Sequence, residues 1–208
     1  MTKLIVLHGY TMNAEVMRRH MGGLVERLER EVELEFIDAP HACSEETVNW
    51  LYSIWKAPRL SPPHFKWFES MEEGRIYEGW EQTRERVQGA MAGGNVAFLG
   101  FSQGAIVSTA FAALAEAQQV PPVQSVILIA GRAPRSEILK PLLTKPLRTP
   151  SLHIWGSADT MAATAAEELA TRFDPQTRQV VVWNGDHRVP TRGEAADAIV
   201  EFVSKQRG

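Results

Sequence analysis

A serine framed by two glycines, Gly100-Phe101-Ser102-Gln103-Gly104, sits where two patterns meet. Asn95-Val96-Ala97-Phe98-Leu99 runs into it as a short apolar stretch of the kind that forms a buried strand. Ala105-Ile106-Val107-Ser108-Thr109-Ala110-Phe111 leaves it as the start of an apolar helix. A serine on so sharp a strand-to-helix turn presents its hydroxyl at the sheet edge, and Gly-x-Ser-x-Gly is the mark of such a nucleophile elbow. The glycines have a steric reason. The turn strains the serine backbone and brings strand and helix close, so flanking side chains must be absent.

A serine hydroxyl is a weak nucleophile at neutral pH and needs a base, a group that orients the base, and donors for the developing oxyanion. Two further loops supply candidates. Gly156-Ser157-Ala158-Asp159 follows a predicted strand at Ser151–Trp155, and Asn184-Gly185-Asp186-His187 follows another at Arg178–Trp183. Ser102, Asp159 and His187 thus stand in the order serine, acid, histidine, each after a different strand. Asp186 and Glu168 compete for the acid role. Neighbouring side chains in an extended loop point apart, so Asp186 is poorly placed to reach the ring beside it, and Asp159 is preferred.

Among the other histidines, His20 lies in a helical pattern and His153 inside a strand, while His41 and His64 sit in or near an aromatic segment. The oxyanion requires two backbone N–H groups. Gln103 supplies one, and the loop His8-Gly9-Tyr10-Thr11 after the first strand supplies the other, with Tyr10 preferred. His8 reads as a brace for that loop. One such donor is worth about 3–4 kcal/mol of transition-state stabilisation.

The elements that must position these residues alternate. Strands are predicted at Lys3–Leu7, Val32–Ile37, Asn95–Leu99, Ser125–Ile129, Ser151–Trp155 and Arg178–Trp183, most of them apolar on nearly every residue, as in parallel strands covered on both faces. Met17, Met21, Leu24 and Leu28 share one helical face between the first two strands, and Ala195, Ala198, Ile199 and Phe202 share another near the C-terminus, where Thr191 and Glu194 form a candidate capping box. The fold class is therefore α/β: a doubly wound, mostly parallel six-stranded sheet with helices on both faces, in a single domain over residues 1–208. Residues 44–74 break the alternation. That stretch reads as an irregular, lid-like insertion, and its aromatics, Trp50, Trp67 and Phe68 among them, either line an acyl or aryl pocket or pack the insertion onto the domain. His41, Trp67 and Phe68 are the candidate substrate contacts.

Composition narrows the function class. The 208 residues carry a net charge of −3, without the basic excess that nucleic acid binding needs. The only cysteine, Cys43, allows no intrachain disulfide. No apolar run is long enough for a membrane span, and the short N-terminal run does not suit a signal peptide, so the expected location is cytoplasmic. No HExxH, paired CxxC, GxGxxG or GxxxxGK pattern is present, so neither a metal nor a cofactor is expected.

Several segments together resemble the FSH family of serine hydrolases, small α/β-hydrolases of the ovarian-cancer-associated type. The resemblance runs from Leu7 to Pro190. It rests on Leu7-His8-Gly9-Tyr10, Phe36-Ile37-Asp38-Ala39-Pro40-His41, Trp67-Phe68 and Tyr77-Glu78-Gly79. It continues through the serine turn, Gly156-Ser157-Ala158-Asp159 and Gly185-Asp186-His187-Arg188-Val189-Pro190. Asp186, Phe68 and Thr160-Met161 depart from the family's usual glycine, tryptophan and aliphatic pair. The resemblance implies a cofactor-free hydrolase of carboxylic esters or thioesters, with Ser102 as nucleophile, Asp159 as acid and His187 as base. An acyl-protein thioesterase or carboxylesterase of a neighbouring family, which shares Gly-Phe-Ser-Gln-Gly, is the nearest alternative. A non-catalytic binding protein on a hydrolase fold is an alternative of another class.

Overall fold

The computed structural model describes residues 2–55 and 58–206, so residues 56 and 57 of the insertion lie outside the described residues. In chain order the elements are β1 (Lys3–Leu7), α1 (Ala14–Met21), α2 (Leu24–Glu29), β2 (Glu33–Ile37), β3 (His41–Ala42), α3 (Glu45–Trp55), β4 (Phe65–Lys66), β5 (Glu69–Met71), β6 (Ile76–Glu78), α4 (Trp80–Ala90), β7 (Val96–Phe101), α5 (Gln103–Glu116), β8 (Val123–Ile129), β9 (Ser151–Gly156), α6 (Ala163–Ala170), β10 (Arg178–Trp183) and α7 (Glu194–Lys205).

Six strands form one sheet in the order β10-β9-β8-β7-β1-β2, every pair parallel. This is the α/β-hydrolase fold. The chain starts at β1, steps outward to β2, then returns to β1's other side with β7 and continues in that direction. Open α/β sheets bind ligands where the strand order reverses, in the crevice beyond the carboxyl ends of the strands. Here that crevice lies between the loop after β1 and the turn after β7.

Alternation along the strands builds two cores. Ile5, Leu7 and Phe98 face α4, α5 and the aromatic insertion, whereas Leu4, Val6, Leu99 and Phe101 face α1, α2 and α7. Helix α5 lies buried on nearly every side, which explains why its sequence is apolar without amphipathic contrast. The edge strand β10 is half-exposed, with Val180 and Val182 facing outward.

Three local expectations are corrected. The helix between β1 and β2 breaks into α1 and α2 at Gly22, whose φ of 50° only glycine adopts readily, although Met17, Met21, Leu24 and Leu28 all remain buried. The capping box at Thr191 does not form, because Gly193 at φ 73° is the residue that enters α7 and no side chain caps it. Residues 44–74 are not irregular. They hold α3, begun by Ser44 Oγ accepting the Thr47 N–H at 3.1 Å, and the strands β4 and β5, which pair antiparallel with β3 and β6 just outside the segment.

Candidate active site

Ser102 sits between β7 and α5 at φ 53° and ψ −113°, a conformation costly for a side chain-bearing residue. Its own N–H donates to Ile129 O of β8 at 2.9 Å, which ties the turn to the sheet. A β-carbon on Gly100 would overlap the Gly104 carbonyl, and one on Gly104 would overlap the Leu7 carbonyl. Both glycines are thus required by backbone contacts with α5 and β1. Gln103 is the first helical residue, so its N–H has no acceptor within the helix and points beyond the α5 N-terminus.

The loops after β9 and β10 meet beside this turn. Gly156 permits their approach, since a β-carbon there would strike the Gly185 carbonyl, and Ala158 N–H donates to that carbonyl at 2.9 Å. His187 Nδ1 lies 2.7 Å from Asp159 Oδ2, and its Nε2 lies 3.1 Å from Ser102 Oγ. A carboxylate can only accept, so Nδ1 carries the proton and Nε2 offers its lone pair to the serine hydroxyl. Asp159 is 2% exposed, and its second oxygen accepts the N–H groups of Met161 at 3.0 Å and Ala162 at 2.9 Å. Phe101 packs on the His187 ring at 5.1 Å between centroids. Asp186 faces solvent and pairs with Arg188 at 3.0 Å.

The loop after β1 is held from several directions. His8 Nε2 accepts the Ala39 N–H at 3.1 Å, which puts its proton on Nδ1 and directs that proton to Gly9 O at 2.7 Å. Trp67 Nε1 donates to His8 O at 2.8 Å, His64 Nδ1 to Thr11 O at 3.0 Å, and Phe65 N to Met12 O at 2.9 Å. Asp38 Oδ1 accepts the Ala14 N–H at the start of α1. The insertion therefore pins the loop that contains Tyr10. The Tyr10 hydroxyl donates to Glu69 at 3.0 Å, and burial together with that carboxylate raises its pKa.

The cavity at Ser102 and His187 has a volume of about 210 Å³. Phe68 reaches its wall and stacks on Tyr77 at 3.9 Å, whereas Trp67 and His41 are not brought to it. Trp67 is fully buried behind the wall, with its ring 5.1 Å from that of His8. His41 hydrogen-bonds Gly79 O at 2.8 Å and faces a separate groove bordered by Lys66 and Glu69. These two side chains support loops rather than line the cavity that holds Ser102. Three contributors escaped sequence reasoning. The Gln103 side chain clamps Trp67 N and Phe68 O, both at 2.8 Å, and Arg132 and Arg135 line the cavity. The clamp joins residues more than thirty positions apart, and no local pattern encodes it.

Two buried histidines make the fold acid-sensitive. Burial pushes His8 down to about 4, against the opposing pull of the Gly9 hydrogen bond and Asp38, and burial with Arg178 pushes His153 down to about 3. Both are neutral when folded and titrate near about 6.5 when unfolded. Their contribution is therefore complete above about pH 6.5 and is lost as pH falls toward 4 and then 3. Tm in thermal scans is expected to fall steadily from pH 7 to 4.5, with about two protons taken up by these groups on unfolding near pH 5. A Tm that holds constant across that range would contradict the assignment.

Comparison with known proteins places this geometry in context. The family model described as serine hydrolase (FSH1) matches residues 1–199. The chain is 26% identical to Esterase OVCA2 of Mus musculus over 218 residues, covering 98% of this chain and 96% of that protein. It is 28% identical to Esterase OVCA2 of Danio rerio over 227 residues, with 98% and 96% coverage. The crystal structure of Zea mays acyl-protein thioesterase 2 shares the fold, with a TM-score of 0.70 at 17% identity over 100% of this chain and 94% of that one.

Proposed function

The chain belongs to the serine hydrolase (FSH1) family, and from that premise we propose that it cleaves carboxylic esters or thioesters through an acyl-enzyme on Ser102, within one domain over residues 1–208. The observation that carries this reading is the unbroken line from Ser102 Oγ through His187 to the buried Asp159 carboxylate. Ser102 Oγ attacks the acyl carbon while its proton passes to His187 Nε2. Asp159 holds the ring in the required tautomer and stabilises the imidazolium that forms. The Gln103 N–H and the Tyr10 N–H receive the oxyanion. As the intermediate collapses, His187 returns the proton to the departing alkoxide or thiolate. Water then repeats the sequence on the acyl-enzyme and releases the acid.

Membership of the family decides against the non-catalytic alternative, while the choice between ester and thioester rests with the substrate. Phe68 and Ser70 of the insertion wall the site instead of contributing to its chemistry, and the part from 61 to 69 is stapled to the loop after β1. No helix among the described residues is long and apolar enough to cross a membrane.

A fluorophosphonate probe tests the reading, since only an activated serine reacts. Labelling at Ser102 is expected, and an unlabelled protein would sink it. A panel of aryl esters and thioesters of graded chain length then reads the wall. Phe68→Ala opens the cavity, and kcat/KM for longer acyl chains should rise relative to acetyl by about tenfold or more, because one methylene in an apolar pocket is worth about 1–3 kcal/mol. An unchanged preference would make Phe68 purely structural.

A further inference from the structure

The catalytic cavity carries more charge than the chemistry of a neutral ester requires. Arg132 and Arg135 lie on the loop after β8 and line the same cavity as Ser102 and His187, and no Asp or Glu lines it. Among the described residues neither guanidinium has an ion-pair partner. Glu72 and Glu137 both pair with Arg75. The chain as a whole has a net charge of −3, so two cations in the wall of the cavity that holds Ser102 run against its average.

Their placement is built into the fold. A β-carbon on Gly131 would meet that of Ala105 at 2.5 Å, so the loop lies directly on α5 just before Arg132. The Arg135 N–H donates to the Tyr77 hydroxyl at 2.9 Å, and Glu137 N–H donates to Arg75 O at 3.0 Å. The Arg135 guanidinium lies against Gly74, where a β-carbon would come within 2.9 Å of Nε. Gly74 stands at φ 91°, so the backbone there is one that glycine favours and that leaves room for the guanidinium. A guanidinium is always charged and presents a planar fork that fits a carboxylate or phosphate with two hydrogen bonds. Arg132 is half-buried and Arg135 exposed, and both guanidinium groups border the one cavity, so an anion entering it can take hydrogen bonds from both.

We propose that the substrate is an ester or thioester bearing an anionic group, which Arg132 and Arg135 bind while Ser102 meets the scissile carbonyl. This rests on the reading of Ser102 as the nucleophile and extends it to substrate class. The anion belongs either to the acyl part or to the leaving group, and both have the same chemistry toward the arginines.

Matched substrates separate these sources. On the acyl side, mono-p-nitrophenyl glutarate is compared with p-nitrophenyl pentanoate. On the leaving-group side, para-acetoxybenzoate is compared with para-acetoxybenzamide. In one arm the anionic member should show a kcat/KM at least about tenfold above its neutral partner, as expected for a charge-assisted pair. The ratio should shrink as salt rises from about 0.05 M to about 0.5 M. Arg132→Gln and Arg135→Gln should each reduce the ratio by about tenfold, and the lysine variants should retain more of it than the glutamine variants. A wild-type enzyme without anion preference in either arm, or a double glutamine variant that keeps the preference, overturns the proposal. Fluorophosphonate labelling of the wild type distinguishes the two levels. Labelling at Ser102 without anion preference overturns this proposal alone, whereas no labelling overturns the catalytic reading and this proposal with it.

Discussion

Ser102→Ala is expected to lower kcat for ester hydrolysis by on the order of 10⁶-fold, with the fold retained. The strained turn depends on Gly100, Gly104 and the Ser102 N–H bond to Ile129, none of which the substitution touches. His187→Ala should cost about as much, and the double variant little more, because a nucleophile and its base act as one unit. The measurements are kcat for the three variants, circular dichroism for the fold, and probe labelling. Undiminished labelling of the alanine variant at another serine would remove Ser102 from the mechanism. A near wild-type kcat for His187→Ala would remove the base.

The second large effect concerns the acid. Asp159→Asn preserves shape but reverses a proton. Oδ1 of Asp159 is fixed by the N–H groups of Met161 and Ala162. An asparagine must turn its oxygen toward those two donors, which leaves its NH₂ facing His187 Nδ1. The ring then accepts at Nδ1 and carries its proton on Nε2, where it donates to Ser102 and can no longer take the hydroxyl proton. A triad with the wrong tautomer loses about 10⁴-fold in kcat. Asp186→Asn removes only an exposed pair with Arg188, and such pairs contribute about 0–1 kcal/mol, so the loss should stay under about tenfold. A severe loss for Asp186→Asn beside a mild one for Asp159→Asn would reverse the assignment.

What the residues determined by themselves is the sheet and the meeting of Ser102, His187 and Asp159 at its edge. The four inner strands were legible because a parallel strand buried on both faces needs an apolar run, and a run is a local signal, while the edge strands β2 and β10 are partly exposed. Ser102, Asp159 and His187 were legible because each follows the end of such a run, and those ends lie on one edge of a parallel sheet. That Asp159 and not Asp186 meets the His187 ring also followed from a local rule about neighbouring side chains. The breaks in α1–α2 and before α7 were also local, but glycine dihedrals outweighed the apolar period and the capping pattern there.

The tertiary structure decided which way side chains face. Trp67 and Phe68 are adjacent and both aromatic, yet one ring braces His8 from behind the wall while the other reaches the cavity. That split follows from the Gln103 clamp on their backbone, which joins segments more than thirty positions apart, and from the stacking of Phe68 on Tyr77 of the next small ribbon. His41 turns to Gly79 for the same reason, since its partner arrives with β6. Arg132 and Arg135 carry no motif at all. Only the packing of their loop on α5 and against Gly74 brings them to the cavity that holds Ser102, because a charged side chain on a loop takes its direction from what the rest of the fold leaves open.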